Sequence, residues 1–163
     1  MKFTLATLPP DLRDEIEQLH EDYAETIDHL DIASWPKYFT EDCLYLVTSR
    51  ENHDEGLPHG TIYCEGLAMV RDRAAATLDC TVFEPRYLRH FIGRPKIDAI
   101  DGDLIRLRAS VLVMESVSDK EPHVLIVGQY HDVLRRGPEG LKFKERRVVY
   151  DNYRIVNSLV FPV

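Results

Sequence analysis

The C-terminal part of the sequence constrains the fold most, because it contains three long runs in which apolar and polar residues alternate. The runs are DLIRLRASVLVMESV, HVLIVGQYHDVLRR and LKFKERRVVYDNYRI, and the turn-forming segment GPEG separates the last two. Alternation with a period of two is typical of a β-strand that is buried on one side. We therefore expect three long antiparallel strands, joined by turns, in a strongly twisted and curved sheet.

The same alternation predicts which side chains face the core. In the first run, the expected core face consists of Ile105, Leu107, Ala109, Val111 and Val113, opposite Arg106, Arg108 and Ser110. In the third run, Phe143, Arg147 and Val149 are expected on one face, with Lys142, Lys144 and Arg146 on the other.

The N-terminal part predicts helices. In PPDLRDEIEQLHEDYAETIDHL, apolar residues recur every three or four positions and form one stripe on a long amphipathic helix. The stripe consists of Leu12, Ile16, Leu19, Tyr23, Ile27 and Leu30. DIASWPKYF predicts a short second helix, CLYLVTS predicts a strand, and residues 51–60 predict a loop because they contain Gly and Pro.

The middle of the chain completes the expected fold. EGLAMVRDRAAATL predicts a third helix, and its expected buried side carries Leu67, Val70, Ala74 and Leu78. EPRYLRHFIGRPKID predicts a strand that Gly93 and Pro95 interrupt, which is typical of a bulged or edge strand. Helices followed by antiparallel strands indicate one α+β domain over residues 1–163. We expect a cone-shaped barrel, in which a curved, mostly antiparallel sheet wraps around the N-terminal helices and encloses a cavity.

Charge and cysteine content exclude several classes of function. The formal net charge of -8 argues against nucleic acid or an anionic membrane as a partner, since both select basic surfaces. Cys43, Cys64 and Cys80 are odd in number and lack a Cys-x-x-Cys spacing, which favours a reducing cytoplasm over a disulfide framework or a zinc site. The N-terminus has no long apolar run, so we expect neither a signal peptide nor a membrane span.

The segment ENHDEGLPH at residues 51–59 contains the residue types of a non-haem iron site, which uses two histidines and a carboxylate. However, His53 and His59 are six residues apart, and no third ligand follows a recognisable spacing. A hydrogen-bonded turn formed around Asn52 and Asp54 explains the same composition. We therefore expect a turn here rather than a metal site.

A second candidate lies near the end of the first helix. Asp28 and His29 supply a carboxylate and an imidazole that could reach the cavity, as general acid–base catalysis requires. Neighbours on a helix do not face each other, so the two cannot form a dyad. His29 would need a partner from the sheet, such as His90 or Tyr130. The alternative is that one of the pair caps the helix and the other is solvated.

Basic residues are concentrated on the predicted strands. The set consists of Arg86, Arg89, Arg94, Arg106, Arg108, Arg146 and Arg147. Arginines in such rows can bind carboxylates of a ligand or of a partner chain. Ion pairs with the 28 acidic residues of this chain are the simpler explanation, and we expect them to dominate.

Several segments together resemble the small (β) subunits of Rieske-type aromatic-ring-hydroxylating dioxygenases. The segments are DYAETIDHLDIASWPKYFTEDCLYLVTSRENHDEGLP, MVRDRAAA, YLRHFIGRPKI and GQYHDVLRRGPEGLKFKERRVVYDNYRIVNSLVFPV. The resemblance runs from about Leu19 to Val163. SRENHDEGLP and NSLVFPV are most similar to small subunits that serve aromatic acids, such as those of salicylate 5-hydroxylase and terephthalate dioxygenase.

The resemblance implies a fold and a division of labour. The fold is the cone shared with nuclear transport factor 2 and ketosteroid isomerase. The small subunit is structural and holds no cofactor, while the large (α) subunit carries the Rieske 2Fe-2S cluster and the mononuclear Fe(II). Three small and three large subunits form an α3β3 complex, and a reductase, with or without a ferredoxin, delivers electrons from NADH. The complex hydroxylates an aromatic acid with O2.

The resemblance also directs attention to subunit interfaces. The expected interface residues are Trp35, Phe39, His53, Arg89, His90 and Phe161. The apolar tail LVFPV would be unusual on a monomer, and burial between chains would explain it. The alternative function is a stand-alone isomerase or dehydratase of the same fold, because a fold does not fix a function. Asp28, His29 and His90 are its candidate catalytic residues, and a cavity filled by aromatic side chains would argue against it.

Overall fold

The computed structural model describes residues 8–156 and 158–163. Residues 1–7, where the sequence predicts no signal peptide, and Asn157 of the C-terminal motif lie outside the described residues. The elements are, in chain order, α1 (Pro10–Asp28), a 3-10 turn (Trp35–Tyr38), β1 (Phe39–Ser49), α2 (Arg50–Asp54), β2 (Ile62–Glu65), α3 (Leu67–Asp79), β3 (Arg86–Ile92), β4 (Lys96–Asp101), β5 (Leu104–Val117), β6 (His123–Gly137) and β7 (Gly140–Tyr150). This order confirms the expected α+β arrangement. The sequence analysis missed α2 and β2, both of which are short.

The strands form one sheet in the order β2-β1-β7-β6-β5-β3, with β4 also paired to β5. All neighbouring strands are antiparallel except β1 and β7, which are parallel. The three long strands have 14, 15 and 11 residues, as the alternating runs predict. The sheet is a curved, open cone rather than a closed barrel, because β2 and the β3–β4 edge do not pair with each other.

Strands β3 and β4 lie one after the other along the same edge of β5. Strand β3 pairs with Val111–Val117 of β5, and β4 pairs with Leu104–Arg108. Gly93 and Pro95 lie in the interruption between β3 and β4, as expected from a strand broken by these residue types. The interruption opens the sheet edge where it faces α1.

Helix α1 packs its apolar stripe on the sheet. Leu12, Ile16, Leu19, Tyr23 and Ile27 are buried as predicted, but Leu30 follows the end of the helix at a positive φ of 58°. His20 is also buried, and it lies on the stripe four residues after Ile16 and three before Tyr23. No described helix is both long and apolar enough to cross a membrane.

Helix α3 differs from the prediction at one position. Leu67, Val70 and Ala74 are buried, but Leu78 is 51% exposed and Thr77 takes the fourth buried position. Thr77 tolerates burial because its hydroxyl donates a hydrogen bond to the Arg73 carbonyl oxygen at 2.9 Å.

A β-bulge in β7 reverses the face assignment of Arg146 and Arg147. Val133 of β6 pairs with Glu145, but the next residue pairs with Phe143, so Lys144 is the extra residue of the bulge. One extra residue shifts every following side chain to the other face. Arg146 is consequently 0% exposed and faces the core with Phe143, and the predicted placement of Arg147 on that face was wrong.

Aromatic side chains and the end of the chain fill the interior of the cone. Trp35 and Phe39 pack edge-to-face at a centroid distance of 5.5 Å, and Trp35 packs on Tyr45 at 5.0 Å. The segment 161–163 folds back into this cluster, and Phe161 and Val163 are 4% and 0% exposed. The Tyr45 hydroxyl lies 2.9 Å from the Val163 backbone nitrogen and 3.1 Å from its carbonyl oxygen. One chain buries residues 161–163 by itself, while Leu159 and Val160 are half-buried, and the expected burial of this tail between chains stays a prediction.

Candidate functional site

The structure brings together Asp28, the last residue of α1, and His90 of β3. His90 Nδ1 lies 2.6 Å from Asp28 Oδ1, and the His90 backbone N–H also donates to both carboxylate oxygens at 3.0 and 3.2 Å. Both side chains are sequestered, with the imidazole 0% and the carboxylate 6% exposed. An ionised carboxylate only accepts hydrogen bonds, so the proton of this contact lies on Nδ1.

His29, the other candidate on α1, does not join this pair. It is exposed, and its Nδ1 lies 2.8 Å from the Glu25 carbonyl oxygen one turn earlier. This contact holds the exposed His29 side chain against the last turn of α1. The candidate carboxylate–imidazole pair is therefore Asp28 with His90, 62 residues away in the sequence.

A second histidine–carboxylate pair lies deeper between α1 and the sheet. His20 Nε2 is 3.2 Å from Asp132 Oδ2, and Asp132 accepts two hydrogen bonds from Arg146 at 3.1 and 2.8 Å. Burial lowers the pKa of His20, so the imidazole is neutral near pH 7. Burial alone would raise the pKa of Asp132, but the Arg146 charge and the hydrogen bonds from His20 and Arg146 lower it below its ordinary value.

Three aromatic rings surround the Arg146 guanidinium. Its Cζ atom lies 4.1 Å from the centroid of Tyr23 and 3.9 Å from those of Tyr130 and Phe143. Burial opposes the charged guanidinium, but Asp132 raises the pKa of Arg146 above its ordinary value. Desolvation raises the pKa of Tyr130 well above its ordinary value, so its phenol stays protonated. The core of the cone therefore holds one compensated ion pair in an aromatic cage.

An open cleft of about 260 Å³ reaches both histidines. Helix α1 supplies Glu17, His20 and Ala24, and the opposite wall consists of His90 and the β3–β4 interruption with Gly93 and Arg94. The broken edge strand therefore has a structural consequence, because it leaves space between the helix and the sheet. His20 and His90 are both among the residues that line this cleft, but the imidazole of His90 is 0% exposed and is therefore covered.

The sequence did not indicate His20 and Asp132 as site residues, and Arg146, though named in the basic set, was predicted on the wrong face of its strand. His20 could have been found, because it occupies a position of the apolar stripe. Asp132 also carried a signal, since it alternates with Tyr130 and Leu134 along β6, all of them buried. Arg146 could not be found from periodicity, because the bulge at Lys144 changes the phase of β7.

The ENHDEGLPH segment forms α2 and the loop that follows. Ser49 caps α2 by accepting a hydrogen bond from the Asn52 backbone N–H at 3.2 Å. The His53 ring packs on the His131 ring of β6 at a centroid distance of 4.7 Å, while His59 is exposed. Burial lowers the pKa of His131, and the neighbouring His53 and Arg108 lower it further. No three metal-ligating side chains converge among residues 8–156 and 158–163, so this donor set does not fit a two-histidine, one-carboxylate iron site.

The expected interface residues fall into two groups. Trp35, Phe39 and Phe161 are 0%, 2% and 4% exposed within one chain, so this chain by itself covers their side chains, and their role at a subunit interface stays a prediction. They are buried because the cone is narrow enough for its own aromatic side chains and tail to fill it. His90 is also buried, and its ring contacts Asp28 rather than solvent. The Arg89 side chain is 68% exposed, with Nη1 3.8 Å from Asp28 Oδ2.

Most of the basic set pairs with carboxylates of the same chain, as expected. Arg86 forms a buried ion pair with Glu115 at 2.7 Å, and Arg108 binds Asp98 through two hydrogen bonds of 2.7 Å. Weaker pairs join Arg89 to Asp28, Arg94 to Glu17 and Arg147 to Glu145, in addition to the Arg146–Asp132 pair.

An apolar row crosses the outer face of the sheet. Phe91 of β3 pairs with Leu112 of β5, and Leu112 pairs with Val127 of β6, so the three side chains are direct cross-strand neighbours. Phe91 and Val127 are 55% and 41% exposed, and Leu112 is half-buried. We call Phe91, Leu112 and Val127 the outer row. Tyr87, which is 79% exposed, lies on the same face of β3 four residues before Phe91, with Arg89 between them.

Residues 11–147 match the SnoaL-like domain family. The chain is 34% identical over 149 residues to the small subunit of anthranilate 1,2-dioxygenase from Burkholderia cepacia, covering 91% of this chain and 92% of that protein. It is 32% identical to the terephthalate 1,2-dioxygenase terminal oxygenase component subunit beta 2 of Comamonas sp, covering 91% and 97%.

A solved structure gives the same result. It is described as the β subunit of an aromatic-ring-hydroxylating dioxygenase from Novosphingobium aromaticivorans. It superimposes with a TM-score of 0.84 at 31% sequence identity, covering 92% of this chain and 95% of that one.

Proposed function

Because the chain belongs to the SnoaL-like domain family, and within it to the small subunits of aromatic-ring-hydroxylating dioxygenases, we propose that it is the structural, non-catalytic subunit of a multicomponent oxygenase. The complex is an oxidoreductase that hydroxylates an aromatic acid with O2 and electrons from NADH. Anthranilate and terephthalate, which name two relatives, are both aromatic carboxylates, and this supports an aromatic acid as substrate.

The observation that carries the proposal is similarity to small subunits over 91% of the chain, together with a filled interior. Small subunits act through association, and the interior of this cone offers little room for a substrate. Trp35, Phe39 and Tyr45 occupy it with the segment 161–163. The catalytic iron and the Rieske cluster then belong to the large subunit. The proposed location is the cytoplasm, where the reductase and ferredoxin also act.

The outer row is the proposed contact surface. Exposed apolar side chains in direct cross-strand contact mark association sites on sheets, because their burial removes apolar area from water. In an α3β3 complex, the outer row and Arg89 would face a large subunit or a neighbouring small subunit. His53 is the second proposed contact, since it is half-buried on α2 in the connection between β1 and β2.

The test is co-expression of the tagged chain with the large subunit from the same organism, followed by native mass and iron measurement. An α3β3 mass with iron present only when the large subunit co-purifies supports the proposal. Phe91→Glu should reduce co-purification at least several-fold, because it places a charge in the apolar row. Tyr153→Glu is the matched control, since Tyr153 is fully exposed outside the row. A stable metal-free monomer that never binds the large subunit would refute the proposal.

One observation favours the alternative of a stand-alone isomerase or dehydratase. The Asp28–His90 pair is buried at 2.6 Å beside a cleft, as a general acid–base pair would be. The alternative requires turnover by the isolated chain, with loss of activity in Asp28→Asn. The filled interior favours the subunit role.

A further inference from the structure

A row of basic side chains crosses four strands on the outer face of the sheet. Lys96 of β4 pairs with Arg108 of β5, and Arg108 pairs in turn with His131 of β6. His131 pairs with Arg147 of β7, and Arg106 lies two residues before Arg108 on the same face of β5. We call these five residues the basic row. Like charges directly opposite each other destabilise a sheet, so this arrangement requires counter-charges.

The chain supplies counter-charges for only part of the basic row. Asp98 accepts two hydrogen bonds of 2.7 Å from Arg108, and Glu145 pairs with Arg147 at 3.2 Å. Two exposed cations of the row form no ion pair among residues 8–156 and 158–163: Lys96 and Arg106. The basic row therefore has an excess of positive charge, although the whole chain has a net charge of -8.

An open depression of about 280 Å³ makes this charge accessible. The three arginines of the basic row line it, and so does His53, whose ring packs on the His131 ring at 4.7 Å. Asp132 also lines the depression, but its side chain is 0% exposed and its charge is compensated by Arg146 in the core. Carboxylates of another molecule can therefore reach the arginines from outside.

The exposed side of α1 carries the opposite charge. Its exposed positions recur every three or four residues and form one stripe: Asp11, Asp14, Gln18, Glu21 and Glu25. We call these residues the acidic stripe. Arg13 pairs with Asp14 at 3.3 Å, but Glu21 and Glu25 form no ion pair within the part of the chain that the structure describes. The acidic stripe therefore has carboxylates that can bind cations of a partner.

The basic row and the acidic stripe cannot meet within one chain. Arg146, which precedes Arg147 in β7, contacts the Tyr23 ring of α1 from the core face of the sheet. Successive side chains of a strand point to opposite faces, so Arg147 and the rest of the basic row face away from α1. Any contact between the two surfaces therefore joins two copies of the chain.

The two surfaces also match in length. Four neighbouring strands at a spacing of about 4.8 Å give the basic row a width of about 14 Å. A rise of 1.5 Å per residue places Asp14 and Glu25 about 16 Å apart along α1. A helix that lies across the strands can therefore bring its carboxylates to the whole row.

We propose that the basic row binds the acidic stripe on α1 of a second copy of this chain. The inference rests on the proposed subunit role and names the contact between small subunits. A contact between two different surfaces is head-to-tail, and three such contacts close a ring in which each copy uses both surfaces once. The outer row begins about 13 Å further along β5, at Leu112, and stays available to the large subunit.

The first test is the native mass of the isolated full chain, measured by sedimentation at one protein concentration in low salt and in about 1 M salt. We expect a trimer in low salt that dissociates at least partly in 1 M salt, because the Debye length falls to about 3 Å. A monomer in low salt, or a trimer of equal stability at both salt concentrations, would overturn the proposal.

Charge exchange tests the two surfaces directly. The sheet variant, Lys96→Glu/Arg106→Glu, and the helix variant, Glu21→Lys/Glu25→Lys, should each weaken association at least about tenfold, because like charges then face each other. All four positions are exposed and lack ion pairs among the described residues, so the fold does not depend on them. The variant that combines all four substitutions should recover most of the association, because the charges are exchanged rather than removed.

A matched control separates this contact from a general effect of net charge. Arg71→Glu/Lys120→Glu changes the net charge as much as the sheet variant does, at exposed positions outside both surfaces, and should leave association unchanged. A sheet variant that associates like wild type, or a combined variant that stays dissociated, would show that the contact lies elsewhere. Co-purification with the large subunit is measured separately, so a chain that fails these tests but still co-purifies keeps its subunit role and loses only this contact.

Discussion

The Arg146–Asp132 pair at the centre of the cone makes the sharpest prediction about stability. Both side chains are 0% exposed and joined by two hydrogen bonds of 3.1 and 2.8 Å. Asp132→Asn keeps the size of the side chain and removes its charge. The guanidinium then remains in the core without a counter-ion, and it stays charged because an arginine side chain is not deprotonated in proteins.

The size of the effect follows from two opposing contributions. Removing one partner of a buried ion pair costs about 3–5 kcal/mol, because the remaining charge is desolvated without compensation. The rings of Tyr23, Tyr130 and Phe143 lie within 4.1 Å of the Arg146 Cζ and offset part of this cost. We therefore expect Asp132→Asn to lower the free energy of unfolding by about 3 kcal/mol, out of a total of about 5–15 kcal/mol.

Urea unfolding at pH 7 measures this loss, with Trp35 as the probe. Trp35 is the single tryptophan and is 0% exposed in the aromatic cluster, so its fluorescence reports loss of the core. The slope of the transition should stay unchanged while its midpoint falls. Wild type and variant are compared at equal protein concentration, because association also changes apparent stability.

The chain offers a matched surface pair as control. Asp98 and Arg108 form a surface ion pair, and their side chains are 36% and 41% exposed. Asp98→Asn removes the carboxylate of this pair and should lower the free energy of unfolding by less than about 1 kcal/mol. The double variant Asp132→Asn/Arg146→Met should recover part of the loss, since an apolar side chain replaces the stranded charge. A loss below about 1 kcal/mol for Asp132→Asn would show that the aromatic cage alone holds the guanidinium, and would refute the reasoning.

Three further predictions concern pH, sheet packing and the buried tail. Because burial lowers the pKa of His20, the unfolded chain binds a proton at pH ~6.5, where the folded chain does not yet bind one. The contribution of His20 to stability is therefore complete above that pH and falls on acidification, by at most about 1.4 kcal/mol per pH unit. His20→Gln should remove this pH dependence in urea titrations at pH 5 to 8. Gly128→Ala should lower stability in urea unfolding by about 2 kcal/mol or more, because its Cβ would meet the Val149 carbonyl oxygen in β7. Tyr45→Phe should lower the thermal midpoint by a few degrees, through a loss of about 1–2 kcal/mol, because the Val163 backbone loses its hydroxyl partner.

The pH prediction and the glycine prediction each have a contradicting outcome. A pH profile of His20→Gln that parallels wild type would place the titration elsewhere, with His131 as the next candidate because its pKa is also lowered. Gly137→Ala is the control for Gly128→Ala, since a Cβ there meets nothing closer than 3.9 Å. Equal stability of the two glycine variants would contradict the close approach of β6 and β7.

The sequence by itself determined the long helices, the long strands and most of the core. Periodicity is local, so a stretch of a dozen residues shows its own buried face, as α1 and β5 do. Residue type is also local, and Gly93 with Pro95 located the break in the edge strand. These features predict the α+β cone, because the apolar stripe of a helix and the apolar face of a sheet can be buried against each other in only a few arrangements.

Only the tertiary structure decided the polar site and the fate of the tail. His20 and Asp132 are 112 residues apart, and Asp28 and His90 are 62 apart, so no local pattern joins them. Arg146 enters the core because one extra residue in β7 shifts the strand phase, and such a bulge depends on the pairing with β6. The tail 161–163 is buried within one chain because Tyr45 and the surrounding rings leave space that fits it, and only the packed cone shows that space.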